Sequence, residues 1–178
     1  MSMRRLFWLA MIGLAAPLAA HAQATANPVV STAREIFARQ SKFIVAAAEQ
    51  MPADKYSYHP TPDQWSFAKV TSHIALSGNA ICAMLSDTPG PQSPKVSDTD
   101  PKDTIVAALK ESFAFCDKAL TNLTDSQMGD TITYFRGAKT PRARALFELT
   151  DDLEDHYSQM ASYLRLSGMT PPSAQPKK

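Results

Sequence analysis

Apolar residues recur at helical spacing in four separate runs along this chain, and proline-rich or polar segments divide the runs. The first contains Ile36, Phe37, Phe43, Ile44, Ala47 and Ala48, and stops at about Met51, before Pro52. Thr32 and Glu35 ahead of it form a T-x-x-E capping box, so the helix is predicted to begin there. The second begins near Ser66, a good N-cap, and carries Val70, His73, Ile74, Ser77, Ile81, Met84 and Leu85 on its inward stripe. The third opens at Asp100-Pro101 and runs to about Leu123, with Ile105, Leu109, Phe113, Cys116 and Leu120 on its stripe. The fourth has Thr140 as N-cap and Pro141 at the first helical position. It continues through Leu146, Leu149, Leu153, His156, Met160, Tyr163 and Leu164; Gly168 ends it and Pro171-Pro172 prevents continuation.

The intervening segments read as connections. In the loop from Asp54 to Trp65, Pro60 and Pro62 forbid regular helix, and Tyr56, Tyr58 and Trp65 are expected to plug the end of the core. His59 in that loop reads as a surface imidazole. Thr88 to Asp100 is rich in Pro, Ser, Asp and Thr, and long enough to cross over the end of a bundle. Ile132 to Phe135 suggests a short extended segment. Four amphipathic helices of about 20 residues each, with no convincing sheet, predict an all-α four-helix bundle with a long crossover connection. It would occupy residues 30–173 and leave 174–178 as a flexible tail.

A fifth apolar run lies at the start of the chain and differs in kind. Arg4 and Arg5 precede Leu6 to Ala20, and Ala20-His21-Ala22 fits an A-x-A cleavage site. The run is short for a membrane span, which needs about 20 residues. Residues 1–22 are therefore expected to be a signal peptide cleaved after Ala22, followed by a linker over 23–29 and a periplasmic or secreted mature protein without stable membrane insertion. Removing Arg4 and Arg5 takes the formal charge from +1 to −1, with 16 basic against 17 acidic residues. No basic stripe is present, so a nucleic-acid partner is not expected. Cys82 and Cys116 match no zinc motif. An oxidising compartment permits a disulfide between them, and two buried thiols are the alternative.

The chemistry concentrates on the fourth run. Asp152 and His156 are four apart, hence on one helix face, among Leu149, Leu153, Met160 and Tyr163. A carboxylate and an imidazole on the apolar side of a helix need partners. With His73 from the second helix they would make a site of two imidazoles and one carboxylate, suited to Zn, Fe, Mn or Ni. The spacing also fits a hydrogen-bonded core histidine beside an ordinary helix-surface pair.

Two signatures carry a family resemblance. Pro60-Thr61-Pro62-Asp63-Gln64-Trp65-Ser66-Phe67, followed by Val70-Thr71-Ser72-His73-Ile74-Ala75, resembles the first motif of the DinB family. His156 to Ser173, with Gln159, Tyr163-Leu164-Arg165 and Gly168-Met169-Thr170-Pro171-Pro172, is similar to the family's ending H-x-G-Q…Y-L-R…G-x-x-P-P, with Ser158 in place of the frequent glycine. The resemblance implies a four-helix bundle holding a divalent metal on three histidines, one on helix 2 and two spaced four apart on the last helix. Positions 73 and 156 match the first and last of these, and the middle one falls on Asp152. It implies a metal-dependent hydrolase or transferase acting on a small-molecule substrate, with Tyr157 or Arg165 orienting that substrate, and a homodimer. Some members transfer low-molecular-weight thiols to electrophiles, a chemistry at odds with an exported location. The alternative is a non-catalytic metal- or ligand-binding bundle with a degenerate site.

Overall fold

The computed structural model describes residues 26–91 and 95–176. The expected signal peptide and its cleavage site lie outside them. Four long helices form the body: α1 (Pro28–Gln50), α2 (Phe67–Ser86), α3 (Lys102–Thr121) and α4 (Arg142–Leu166). The described residues contain no helix long and apolar enough to cross a membrane. The predicted stripes meet in one core, in which Ile44, Ile74, Ile105, Leu109, Leu120, Leu146, Leu149, Leu153 and Met160 are almost wholly buried. Helix α2 packs against α3 and α4, and α1 against α4 and α3.

Several helix ends differ from their sequence signals. Helix α1 starts at Pro28, so Thr32 and Glu35 lie inside it. Its cap comes from a distant segment: the Asp125 carboxylate accepts the backbone N–H groups of Val29 and Val30 at 3.0 and 2.8 Å. Asn27 Oδ1 accepts the Asp125 N–H in return. A carboxylate at a helix N-terminus also meets the positive end of the dipole, so this exchange replaces a local box. At the other end, the Lys102 ammonium donates to the carbonyls of Glu49 and Met51. Ser66 caps α2 as predicted, accepting from the Lys69 N–H. Helix α4 begins one residue later than predicted, because Thr140 and Pro141 belong to a strand.

That strand, β2 (Lys139–Pro141), pairs antiparallel with β1 (Thr131–Thr133), a small hairpin where no sheet was expected. Ile132 anchors it in the core, and Arg142, buried at its base, donates to the Leu85 carbonyl and to Asp87 at the end of α2. Helix α4 ends in a Schellman motif: Gly168 at φ 80° donates to the Arg165 carbonyl and Met169 to that of Leu164. The segment beyond is held against the bundle, with the Ser173 N–H on the Tyr157 hydroxyl and Gln175 on Gln50. Cys82 and Cys116 form a disulfide that ties α2 to α3.

Candidate metal centre

The site is built where α2 and α4 run alongside each other. Residues four apart on each helix share a face, so α2 offers His73 and Ser77 as one pair and α4 offers Asp152 and His156 as another. Asp152 Oδ1 lies 3.4 Å from His156 Nε2 and 3.7 Å from His73 Nε2. Its other oxygen, Oδ2, accepts the Ser77 hydroxyl at 2.8 Å. One carboxylate oxygen is thus tied back to α2, and the other is presented to both imidazoles.

The two rings are also placed. Their centroids are 4.8 Å apart and nearly perpendicular. Gln159 sits one turn beyond His156, with Oε1 3.4 Å from His156 Nδ1 and its amide nitrogen directed at Asp155. An amide oxygen only accepts, so Nδ1 is the donor in this contact and Nε2 is the ring nitrogen turned to the carboxylate. Trp65 lies over both imidazoles, at 5.0 Å from His73 and 6.0 Å from His156. The sequence places Trp65 in the core end with the two tyrosines, and the structure separates them. Tyr56 is buried and donates to the Ala48 carbonyl, and Tyr58 packs on Tyr163, but Trp65 is 43% exposed and covers the histidines. Its backbone is fixed by the Tyr163 hydroxyl, which donates to the Trp65 carbonyl at 2.9 Å.

Electrostatics follow from this packing. Burial alone would raise the Asp152 pKa, but the adjacent His156 and His73 imidazoles and the Ser77 hydroxyl outweigh it and hold the carboxyl far below the usual carboxylate range. Burial would likewise lower His156, yet the adjacent Asp152 carboxylate reverses that and holds the imidazole above its ordinary value. The side chains are 35% (His73), 19% (Asp152) and 9% (His156) exposed, so the cluster opens to solvent on the His73 side.

The donor set fits a divalent transition metal. The three ligand atoms lie within 4.8 Å of one another. Two ligands of a tetrahedral ion bonded at about 2.1 Å sit about 3.4 Å apart, close to both carboxylate–imidazole separations. Ser77 and Gln159 supply the outer hydrogen bonds that orient such ligands. Neither role is visible in composition, although Ser77 stands four residues after His73 and Gln159 three after His156.

The other candidate positions lie elsewhere. Tyr157 is buried, stacks on Phe43 of α1 and accepts the Ser173 N–H. Arg165 is exposed in the last turn of α4. His59 is exposed, with Nδ1 2.7 Å from the Thr61 carbonyl oxygen.

The DinB superfamily profile matches residues 37–160. The chain belongs to the DinB superfamily. Solved structures agree in fold. A DinB-like protein from Bacillus subtilis superposes with a TM-score of 0.65 at 21% identity, covering 83% of this chain and 99% of that one. One from Bacillus cereus does so with a TM-score of 0.65 at 17% identity, over 80% and 95%. A mycothiol-dependent maleylpyruvate isomerase matches with a TM-score of 0.61 at 14% identity, covering 74% of this chain and 60% of the isomerase. No curated protein matches the sequence.

Proposed function

We propose that this DinB protein binds a divalent transition metal on His73, Asp152 and His156 and uses it in hydrolysis or group transfer on a small molecule. The observation that carries the reading is the convergence of two imidazole nitrogens on one carboxylate oxygen at 3.4 and 3.7 Å, at a solvent-reached edge of the bundle. A divalent ion bound there supplies Lewis acidity and lowers the pKa of a nucleophile. The chain's own residues do the rest. Ser77 holds the carboxylate, Gln159 selects the His156 tautomer, and Trp65 shields one side while the His73 side admits substrate. Likeness in fold to a mycothiol-dependent maleylpyruvate isomerase supports an enzymatic reading. We assign no thiol cofactor to this chain.

The test is metal analysis of protein purified without chelator, with melting temperatures measured on adding Zn, Ni, Mn or Fe. Stoichiometric metal, or a rise in melting temperature lost in both His73→Ala and His156→Ala, is expected. No metal and no rise removes the reading, and binding that survives both substitutions removes the ligand assignment. One observation favours a second reading, a metal-free site: Asp152 is already satisfied by Ser77 and the imidazoles. Asp152→His separates the two. Gain of metal binding only in that variant supports the degenerate site.

We also infer export of the mature chain. The disulfide between α2 and α3 supports this, since such bonds persist in oxidising compartments. Release of the processed protein by osmotic shock is the expected result, and retention of the full-length chain in the cytoplasm counts against it.

A further inference from the structure

The metal cluster opens to solvent on the His73 side, and Lys69 stands one turn before His73 on α2. Its ammonium lies 5.9 Å from the Trp65 ring centroid. The same indole lies 5.0 Å from His73 and 6.0 Å from His156, so Trp65 links the cation to both imidazoles. Lys69 sits in the first turn of α2, with its backbone N–H donated to the Ser66 hydroxyl. A cation there opposes the positive end of the helix dipole, and no acidic residue in that turn offsets it. Its ion-pair partner, Asp98 of the crossover, is 4.0 Å away, and the two side chains are 46% and 39% exposed. A pair so long and so exposed adds little to stability. The fold thus gives no structural reason for a positive charge at this position, whereas the open edge of the cluster does.

Building on the metal reading of His73, Asp152 and His156, we propose that Lys69 binds a carboxylate at the far end of a small-molecule substrate whose reacting end meets the metal. The charges around the cluster favour an anion on this side. On α4, Glu148 is paired with Arg144 at 3.5 Å, and Asp155 lies 3.8 Å from His156 Nδ1, the ring nitrogen turned away from the Asp152 carboxylate. A divalent ion on one carboxylate and two neutral imidazoles makes a net positive centre. Lys69 adds a second positive charge on the open side, and Trp65, 43% exposed, offers the apolar surface between them. A single ammonium also selects the group it receives. It is a point charge on a flexible stem, without the planar fork of an arginine, and Asp98 stands close by. A singly charged carboxylate suits it, while a phosphoryl dianion calls for more donors. The part of the substrate that joins the two ends lies along Trp65 and is therefore apolar. Lys69 is a substrate-binding residue in this scheme and takes no part in the chemical step.

Cobalt(II)-loaded protein is titrated with two probes that differ only in charge, the monohydroxamate of glutaric acid and its terminal amide. Binding is read from the visible cobalt bands. The ratio of the two affinities is the measure, so any change in metal binding itself cancels. Wild type should bind the carboxylate about fivefold tighter at low salt, the upper scale of an exposed ion pair, and added salt should erase the difference. Lys69→Met, which keeps an apolar stem beside Trp65, should remove that preference, and Lys69→Arg should keep it. Cobalt bands with equal affinities for the two probes, or a preference that survives Lys69→Met, overturn the Lys69 assignment and leave the metal reading in place. A preference lost in Lys69→Arg as well shows that charge is not what is recognised, and overturns the assignment too. Absence of cobalt bands in wild type removes the metal reading and this proposal with it.

Discussion

Asp152→Asn keeps the side-chain shape and removes the charge on which the site's electrostatics depend. In metal-free protein, the Asp152 pKa is lowered, so its stabilisation is complete above the ordinary carboxylate value, about 4, and is lost as pH falls through the folded value. The His156 pKa is raised, so its share is complete below about 6.5 and is lost as pH rises through the folded value. The pair therefore contributes most between about pH 4 and 6.5. Two unit charges at the observed 3.4 Å interact by about 5 kcal/mol at an effective dielectric of ~20. Burial of both groups offsets much of that, leaving about 2 kcal/mol, the usual scale of a hydrogen bond to a charged group. Urea unfolding in EDTA should show Asp152→Asn destabilised by about 2 kcal/mol at pH 5.5 and clearly less at pH 8.5. The His156 ring resonances should titrate at lower pH in the variant, since Asp152 no longer opposes burial and only the weaker effects of Gln159 and Asp155 remain. Equal losses at both pH values, or an unmoved His156 midpoint, would refute the pairing.

Replacing Cys82 and Cys116 by Ala opens a loop of 34 residues, for which loop-closure entropy gives about 4 kcal/mol of lost stability, measurable by denaturant unfolding. A cost below about 1 kcal/mol would show that the unfolded chain is already constrained there. Ser77→Ala frees the Asp152 oxygen that it holds and should weaken zinc binding 10- to 100-fold, about the usual cost of losing an outer hydrogen bond, by competition with a chelating dye. An unchanged affinity would show that Ser77 does not orient the carboxylate. Trp65 is the only tryptophan after residue 22 and lies 5.0 Å from His73. Nickel or cobalt should therefore quench its fluorescence in the processed chain, and unquenched emission from metal-saturated protein would place the ion elsewhere.

The four helices were legible because burying one face imposes a 3.6-residue period, and the stripes of α3 and α4 are buried as read. What local sequence does not encode was missed. Helix α1 takes its cap from Asp125, about 95 residues away, so no local motif could mark its start. Strands of three residues leave no alternation to detect, which hid the hairpin. Asp152 and His156 were legible because i, i+4 spacing converts directly into a shared face, whereas His73, on another helix, was joined to them by its inward stripe and the family resemblance. Trp65 was misplaced because its position is set by Tyr163, 98 residues on, and not by the loop that carries it. The cysteine pairing depended on a Cα separation of 5.2 Å that only helix packing creates.

The same geometry that joins Asp152 to His156 without metal sets a cost for binding one. A metal ligand must present a lone pair, so an imidazole held protonated by its carboxylate neighbour has to release that proton first. The raised His156 pKa extends this competition upward in pH, above the range of an ordinary histidine. Asp152 imposes no such step, because it stays ionised far below neutrality. Zinc affinity should therefore climb between pH 6 and 8, by about tenfold per pH unit for each proton displaced in the steep part of the range. Calorimetry in two buffers of different ionisation enthalpy counts that proton directly. In Asp152→Asn the climb should end at lower pH, because the imidazole then releases its proton more readily, even though zinc binds more weakly in total. A pH-independent affinity with no proton released would remove His156 from the ligand set and leave its pairing with Asp152 as structure alone.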